Sequence, residues 1–277
     1  MLTRHERWID RMYGHGDGST TDSHRGYMNF GLWDPGVDGY AAAAENLVLA
    51  LGTRLGLAPG ARLLDVAFGR GVQDFFLQRR FGPLVIDAID VTERNVTLAR
   101  QQAAAHAGPG EIRFQRGSAT RLPFADATFT HAVSVEAAFH FDTREAFVGE
   151  VRRTLVAGGR LALADMVLAR PPRSRREQAL LEAACRLWRI PRANMVELPA
   201  YRAMLARQGF TALAIDQVAG RTFPGYYRAQ RVPVRRRELI LARGRVGATV
   251  GALLNYAAHR VFSSGLLDYV LVSAAKA

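Results

Sequence analysis

The chain has 277 residues, of which 49% are hydrophobic, and a formal net charge of +12. This length and composition fit one α/β domain with a full core, with or without a cap. The single cysteine, Cys185, excludes an internal disulfide and a Cys-rich zinc site. No apolar run is long enough to span a bilayer, and the N-terminus lacks the apolar centre of a signal peptide, which together predict a cytoplasmic protein.

Residues 1–60 precede the first predicted strand and are expected to form the helices of an N-terminal lid. Three glycines predict a flexible start: Gly14, Gly16 and Gly18. An aromatic stretch over 27–33 and an Ala-rich helix near 41–55 follow. In a lid, Tyr27 and Trp33 would shield a ligand, although packing in a hinge or core explains these aromatic side chains equally well.

Residues 61–71 form a short apolar run that ends in a turn of small residues, and a helical pattern follows over 72–81. This order is typical of a buried parallel strand that enters a helix through a glycine turn. Gly69 and Gly71 would let the backbone approach a ligand closely. The turn differs from a dinucleotide loop, because Asp65 would repel a phosphate. The carboxylate suits a ligand with an ammonium group, such as S-adenosylmethionine.

The next predicted strand, 84–90, ends in a second acid, Asp90, which is placed for ribose hydroxyls. Either acid alone could be a solvated strand end, but a pair at successive strand ends favours one shared ligand. Further strands are predicted over 111–118, 129–137 and 160–168, with a helix over 144–156 that a glycine turn stops. Alternating strands and helices predict a doubly wound, mostly parallel α/β sheet. The polar residues at its carboxyl ends are Asp65, Asp90, Ser118, Glu136 and Asp165.

Residues 61–170 are therefore expected to be the ligand-binding core, and 171–277 the rest of the core with helical insertions near 171–195 and 220–265. The first insertion contains a helix over 173–189. The second is a helical segment over 223–262, between strands at 212–218 and 267–273. We expect both insertions to cap the strand ends and to choose the substrate.

The positive charge is carried almost entirely by arginine, with Lys276 the only lysine, and it is densest over 221–260, where Glu238 is the one acid. A solvated helix face, or the codon bias of a GC-rich genome, explains this pattern. The alternative is an anionic partner, either a membrane surface or an acidic carrier protein. Enzymes that methylate the exocyclic amines of nucleic-acid bases usually carry an Asn/Asp-Pro-Pro-Tyr-like motif after the fourth strand, and the run at 134–137 differs from it. Enzymes that make 5-methylcytosine need a nucleophilic cysteine in the site, but Cys185 lies on an inserted helix. Nucleic acid is therefore not the expected substrate.

The turn at 65–71, DVAFGRG, resembles the acid-x-Gly-x-Gly-x-Gly turn of class I S-adenosylmethionine-dependent methyltransferases, with Ala67 in place of the first glycine. Within that class the chain is most similar to the erythromycin-type O-methyltransferases of natural-product sugars and macrolides. The stretches that carry this resemblance are 28–33, 68–76, 117–124 and 267–270. It implies a Rossmann-like fold with a seven-stranded sheet and S-adenosylmethionine as the cofactor. The cofactor-binding residues expected are Tyr27, Asp65, Ala67, Gly69, Gly71, Gln73, Asp90, Val91, Ser118, Ala119, Thr120 and Glu136.

Methyl transfer depends mainly on in-line positioning, and a hydroxyl acceptor also benefits from a base. His140 follows the fourth strand, and the resemblance implies that it is this base and that Asp165 orients it. A neutral imidazole predicts a rate that rises through a pKa of about 6–8. A packing role for His140, a carbon or carboxyl group on a lipid-like acceptor, and a non-catalytic cofactor-binding scaffold stay open. We expect a small-molecule substrate, no metal site and a homodimer.

Overall fold

The computed structural model describes residues 2–14, 23–105, 108 and 110–277. Seven strands form one sheet: β1 Arg62–Val66, β2 Leu84–Asp90, β3 Gly110–Arg116, β4 Phe129–Val135, β5 Leu155–Leu168, β6 Phe210–Gln217 and β7 Leu267–Lys276. Their order is β3-β2-β1-β4-β5-β7-β6. The first five strands are parallel, and β7 is antiparallel to both β5 and β6. This confirms the predicted doubly wound, mostly parallel, seven-stranded sheet.

Helices flank the sheet on both faces: α1 Arg4–Gly14, α2 Tyr40–Leu55, α3 Val72–Phe81, α4 Glu93–Ala104, α5 Arg144–Thr154, α6 Arg175–Leu187, α7 Leu198–Arg207, α8 Phe223–Gln230 and α9 Pro233–Phe262. The bounds of α3 and β2 agree with the sequence prediction. The helix α5 ends earlier than predicted, and β5 begins at Leu155 before the glycine pair that was expected to stop the helix.

Residues 4–14 form α1, so the flexible start predicted from the glycines does not extend over them. The helix is held on the protein because Asp10 forms an ion pair with Arg116 at 2.8 Å and accepts a hydrogen bond from the backbone of Glu93. Gly16 and Gly18 of the predicted flexible start lie outside the described residues.

Both faces of the sheet are covered by helices, and successive side chains of a strand point to opposite faces, so neighbouring residues of one strand belong to different parts of the core. On β1, Leu63 belongs to one core cluster together with Leu47 and Leu51 of α2. Its neighbour Leu64 belongs to a second cluster, together with Phe147 of α5. The near-continuous apolar sequence of β1 follows from this two-sided burial, and it leaves the carboxyl ends of the strands as the place for polar groups.

The predicted helical insertion at 223–262 is present as α8 and α9. It joins the core through aromatic packing, since Phe223 stacks on Phe262 with ring centroids 3.8 Å apart and Trp188 stacks on Phe262 from the other insertion. Gly244 breaks α9 into two parts, because its φ of 71° is not helical.

Candidate functional site

The turn after β1 is built from left-handed backbone conformations. Ala67, Gly69 and Gly71 have φ values of 66°, 62° and 76°. A Cβ on Gly71 would lie 2.9 Å from the ring of Phe114 and 3.0 Å from the Cβ of Ala99, so this glycine lets α3 start close to its neighbours. Gly71 is not among the residues that line a cavity, and its expected contact with the cofactor stays a prediction.

Ala67 occupies the position where the resemblance has glycine, and its positive φ is unfavourable for a residue with a Cβ. We predict that Ala67→Gly raises the free energy of unfolding by about 0.4–1 kcal/mol, because relief of this strain exceeds the larger entropy of the unfolded chain. Chemical denaturation checks this. Ala61→Gly, at a position without positive φ, is the control and is expected to destabilise; an equal effect of the two substitutions would contradict the strain argument.

A first cavity of about 130 Å³ opens at the carboxyl ends of β1, β2 and β4. Most of the expected cofactor-binding residues line it: Tyr27, Ala67, Gly69, Gln73, Asp90, Val91, Ala119, Thr120 and Glu136. Asp90 is buried there, and its carboxylate accepts hydrogen bonds from the backbone of Gly69 at 3.0 Å and Thr92 at 2.7 Å. The side chains of Thr92 and Asn95 also lie against this carboxylate, so the hydroxyls of a bound ribose would share its oxygens with these groups.

Asp65 lies behind this cavity rather than on its wall. Its side chain is fully buried and accepts a hydrogen bond from Gln73, which does line the cavity. Burial raises the pKa of Asp65 to about 6 and raises that of the neighbouring Asp74 well above its usual range. The predicted direct contact between Asp65 and a ligand ammonium group is therefore corrected: the carboxylate reaches the cavity through Gln73.

The turn after β3 also contributes, but not through all the residues expected. Gly117, Ala119 and Thr120 line the first cavity. Ser118 does not, because its hydroxyl is buried against Thr120, with the two side-chain oxygens 3.1 Å apart. Its part in the site is to hold the turn in shape.

A second cavity, of about 260 Å³, lies beside the first and under the cap. Aromatic side chains from the lid, the core and the cap dominate its wall: Tyr13, Tyr27, Phe30, Tyr40, Phe139, Trp188, Tyr226 and Phe262. The two cavities share five residues, namely Tyr13, Tyr27, Met28, Glu136 and His140. A ligand in one cavity can therefore meet a ligand in the other only along this shared wall.

Glu136 is the acid on the shared wall. It follows β4 in a left-handed conformation, with φ of 56°, and its Oε2 accepts a hydrogen bond from the backbone of Phe30 at 2.7 Å. Its Oε1 is buried and, within the described chain, makes no hydrogen bond of normal geometry, although the hydroxyl of Tyr269 lies close enough to favour its ionised form. Burial outweighs these partners and raises the pKa of Glu136 to about 8.

His140 is the imidazole on the shared wall and ends a short 3₁₀ turn, Ala138–His140. Its Nε2 lies 2.9 Å from the hydroxyl of Tyr13, and its backbone carbonyl accepts a hydrogen bond from His5. Burial lowers the pKa of His140 to about 3, and the positive charge that His5 can carry adds to this, while the backbone carbonyls of Arg189 and Trp188 oppose it only in part. The imidazole is therefore neutral at physiological pH, and the expected rise in rate through about 6–8 is not explained by this group.

Asp165 is not the partner of His140, which corrects the sequence prediction. It is fully buried, forms an ion pair with Arg144 at 2.8 Å and accepts a hydrogen bond from Tyr201 at 3.0 Å. It lines neither cavity. The sequence places Asp165 on the strand next to the one that His140 follows. It does not reveal that the side chain of Arg144, the first residue of α5, is buried and binds this carboxylate.

The two lid aromatics have different surroundings. Tyr27 lines both cavities and donates a hydrogen bond to Glu45 at 3.3 Å, and burial raises its pKa above the usual range. Trp33 lines neither cavity. It packs on Gly225 of α8 and donates a hydrogen bond to the carbonyl of Phe30 at 2.9 Å, so its role is packing. Tyr13 and His5 of α1 were missed from the sequence because no individual helix was predicted before the one near 41–55.

Comparisons with known proteins identify the family of the chain. A family model described as a methyltransferase domain matches residues 64–163, which include the turn, Asp90, Glu136 and His140. An O-methyltransferase of Aspergillus nomiae is 32% identical over 162 residues, which cover 58% of this chain and 72% of the relative. The chain belongs to the S-adenosylmethionine-dependent methyltransferases.

A second relative of this methyltransferase is erythromycin 3''-O-methyltransferase from Saccharopolyspora erythraea, which is 36% identical over 141 residues. That match covers 51% of this chain and 46% of the relative, so the chain spans about half the length of the erythromycin enzyme. The cofactor of the family is S-adenosylmethionine, and the first cavity fits it, with a buried carboxylate at the end of β2 and a glycine turn after β1.

Solved structures show the same fold at low sequence identity. A cyclopropane synthase from Mycobacterium tuberculosis has a TM-score of 0.82 at 16% identity, with 99% of each chain covered. A geranyl diphosphate C-methyltransferase from Streptomyces coelicolor has a TM-score of 0.77 at 17% identity, with 100% of this chain and 99% of the other covered. Among the described residues of this methyltransferase, no helix is long and apolar enough to cross a membrane, and no group of His, Cys, Asp or Glu side chains is arranged to hold a metal ion.

Proposed function

We propose that this methyltransferase transfers the methyl group of S-adenosylmethionine to a hydroxyl of an apolar small-molecule natural product, such as a glycosylated macrolide or a polyketide. The observation that carries the proposal is the wall shared by the two cavities, which holds Glu136 and His140 between the cofactor and acceptor sides. The names of the two relatives, both O-methyltransferases, support oxygen as the acceptor atom.

Asp90, Gly69 and Gln73 would hold the cofactor in the first cavity, and the bound sulfonium supplies an activated methyl group. The acceptor would lie in the second cavity, where the aromatic wall excludes water and suits a flat or apolar molecule. With both sites filled, the protein's main contribution is the alignment of the acceptor oxygen with the methyl group.

The proton of the acceptor hydroxyl needs a destination, and Glu136 and His140 are the two candidates. His140, the base expected from the sequence, is a weak one with a pKa of about 3. Glu136 has a pKa of about 8, and its buried Oε1 lies near the hydroxyl of Tyr269 without a hydrogen bond of normal geometry. A base is most effective when its pKa is near the working pH. We therefore assign the proton to Glu136 Oε1, and to His140 a hydrogen bond that orients the hydroxyl.

This assignment is tested with His140→Ala. Loss of one orienting hydrogen bond of about 1–3 kcal/mol predicts a fall in kcat of about 5- to 150-fold. Cofactor affinity and the shape of the pH profile should stay as in the wild type, because the proton acceptor is retained. A variant whose kcat is unchanged, or one whose pH profile loses a titrating group, would contradict the orienting role; the second result would return the proton to His140.

Cofactor binding is tested with Asp90→Ala. The substitution leaves ribose hydroxyls and the backbone N–H groups of Gly69 and Thr92 without their acceptor, so we predict an affinity for S-adenosylmethionine lower by about 1–3 kcal/mol. Titration calorimetry measures this, with Asp87→Ala on the same strand, outside the cavity lining, as the control. An Asp90→Ala protein that keeps wild-type affinity would remove the ribose assignment.

Methyl transfer to carbon is the second candidate function. The acceptor cavity is lined mostly by aromatic rings, and such a wall also fits an isoprenoid or lipid-like acceptor. Analysis of the methylated product separates the candidates, because O- and C-methyl groups differ in carbon chemical shift.

A further inference from the structure

The second part of α9, after the break at Gly244, has apolar residues on two opposite sides. The inner side packs on the core, where Ala248 is buried and Phe262 lies against the main core cluster. The outer side carries Val246, Val250, Leu253, Leu254 and Ala257. Their spacing of i, i+4, i+7, i+8 and i+11 places them on one helix face. Val246 is 80% exposed and Leu253 64%, so this outer face of α9 is an apolar surface in water, which single soluble chains seldom keep without a partner.

Arginines surround the outer face of α9. Arg243 and Arg245 stand at its start, and Arg260, three residues after Ala257, lies on the same face at its end. All three are exposed, and none of them forms an ion pair with an acidic side chain of the described chain. The one acid of α9, Glu238, is engaged by Ser23 and lies 3.8 Å from Arg235. The outer face of α9 is therefore apolar along its length and positively charged at both ends.

The outer face continues into a shallow groove between α6 and α9. Leu180, Leu187, Trp188, Tyr256 and Val261 line this groove. Trp188 lines both this groove and the acceptor cavity. A molecule that covers the outer face would therefore lie on the side of the acceptor cavity that Trp188 forms.

We propose that the outer face of α9 docks on the surface of an anionic lipid bilayer. In this arrangement Val246, Val250 and Leu253 enter the boundary between headgroups and acyl chains, and the arginines at the helix ends reach lipid phosphates with their long side chains. A second copy of the chain fits less well, because it would bring two sets of arginines together. An acidic protein fits less well too, because the exposed side chains are mostly aliphatic, whereas protein interfaces favour aromatic residues.

Vesicle co-sedimentation tests the proposal, with vesicles of phosphatidylcholine alone and vesicles with about 30% phosphatidylglycerol at about 0.1 M salt. Two variants remove the two halves of the interaction: Val246→Ser with Val250→Ser and Leu253→Ser, and Arg243→Gln with Arg245→Gln and Arg260→Gln. The matched control removes three exposed arginines far from α9: Arg79→Gln with Arg80→Gln and Arg202→Gln. Melting temperature and cofactor affinity show that each variant is folded.

We expect the wild type and the control to bind the anionic vesicles and not the neutral ones. The arginine variant should bind about a hundredfold more weakly, since each basic residue near the surface contributes a factor of about five, and the serine variant should also bind more weakly. The proposal is overturned if the wild type stays in the supernatant, if the serine variant binds like the wild type, or if light scattering shows a dimer that the serine variant dissociates. The proposal would also be overturned if the wild type binds an acidic carrier protein but does not bind vesicles.

Discussion

Glu136→Gln is expected to lower kcat by about 10²–10⁴, the usual contribution of a general base. Glutamine has the same shape and can still accept the hydrogen bond from the backbone of Phe30, which lies 2.7 Å from Glu136 Oε2. It cannot take a proton. The loss should therefore appear in turnover, while the melting temperature stays close to that of the wild type.

The pH profile gives this prediction a second readout. A base must be deprotonated to act, so kcat/KM of the wild type should rise with pH through the pKa of Glu136, which is about 8 without ligand. A positive charge in the adjoining cavity favours the carboxylate and moves this midpoint lower. The rise should be absent from Glu136→Gln and present in Glu182→Gln, a surface control on α6. A Glu136→Gln enzyme with near-normal turnover and the wild-type profile would show that positioning alone suffices.

Asp165→Asn is expected to lower the free energy of unfolding by about 3–5 kcal/mol, because it leaves the charge of Arg144 buried without its counter-ion. Both side chains of this pair are almost completely inaccessible, at 2% for Arg144 and 0% for Asp165. Chemical denaturation measures the change.

The control for this prediction is a pair of the same chemistry on the surface. Asp126 lies 2.7 Å from Arg153 and its side chain is 77% exposed, so Asp126→Asn should cost less than about 1 kcal/mol. Below its melting temperature the Asp165→Asn protein should keep the wild-type pH profile. A stable Asp165→Asn protein with strongly reduced turnover would instead support the role in catalysis that the sequence resemblance implied.

The sheet could be predicted from the sequence because its signals are local. Apolar runs such as 84–90, which are bounded by turns, predict strands that are buried on both faces. The alternation of strands and helices then predicts a parallel sheet, in which the carboxyl ends of the strands lie along one edge. The positions of Asp90 and Glu136 at that edge followed directly. The insertion at 223–262 could be predicted for the same reason, because its helical pattern lies between two predicted strands.

The contacts within the site could not be predicted, because they depend on residues far apart in the chain. Asp65 and Asp90 both follow the same pattern, an acid near the end of a predicted strand. In the structure, Gln73 lies between Asp65 and the cavity, whereas Asp90 lines the cavity directly. Asp165 was paired with His140 on the family resemblance and on the position of both at neighbouring strand ends, but its partner in the structure is Arg144. The low pKa of His140 comes from burial under α1, a helix that composition made look like a flexible start.

Transfer of an isotope-labelled methyl group from S-adenosylmethionine to macrolides and polyketides with free hydroxyls tests the account most directly, with the product analysed by carbon NMR. The account predicts a labelled O-methyl product with the wild type, a trace of it with Glu136→Gln and an intermediate amount with His140→Ala. A label on carbon would replace the proposed acceptor atom. A protein that binds the cofactor with normal affinity and methylates none of these acceptors, with product from neither oxygen nor carbon, would contradict the proposed function and favour a cofactor-binding scaffold.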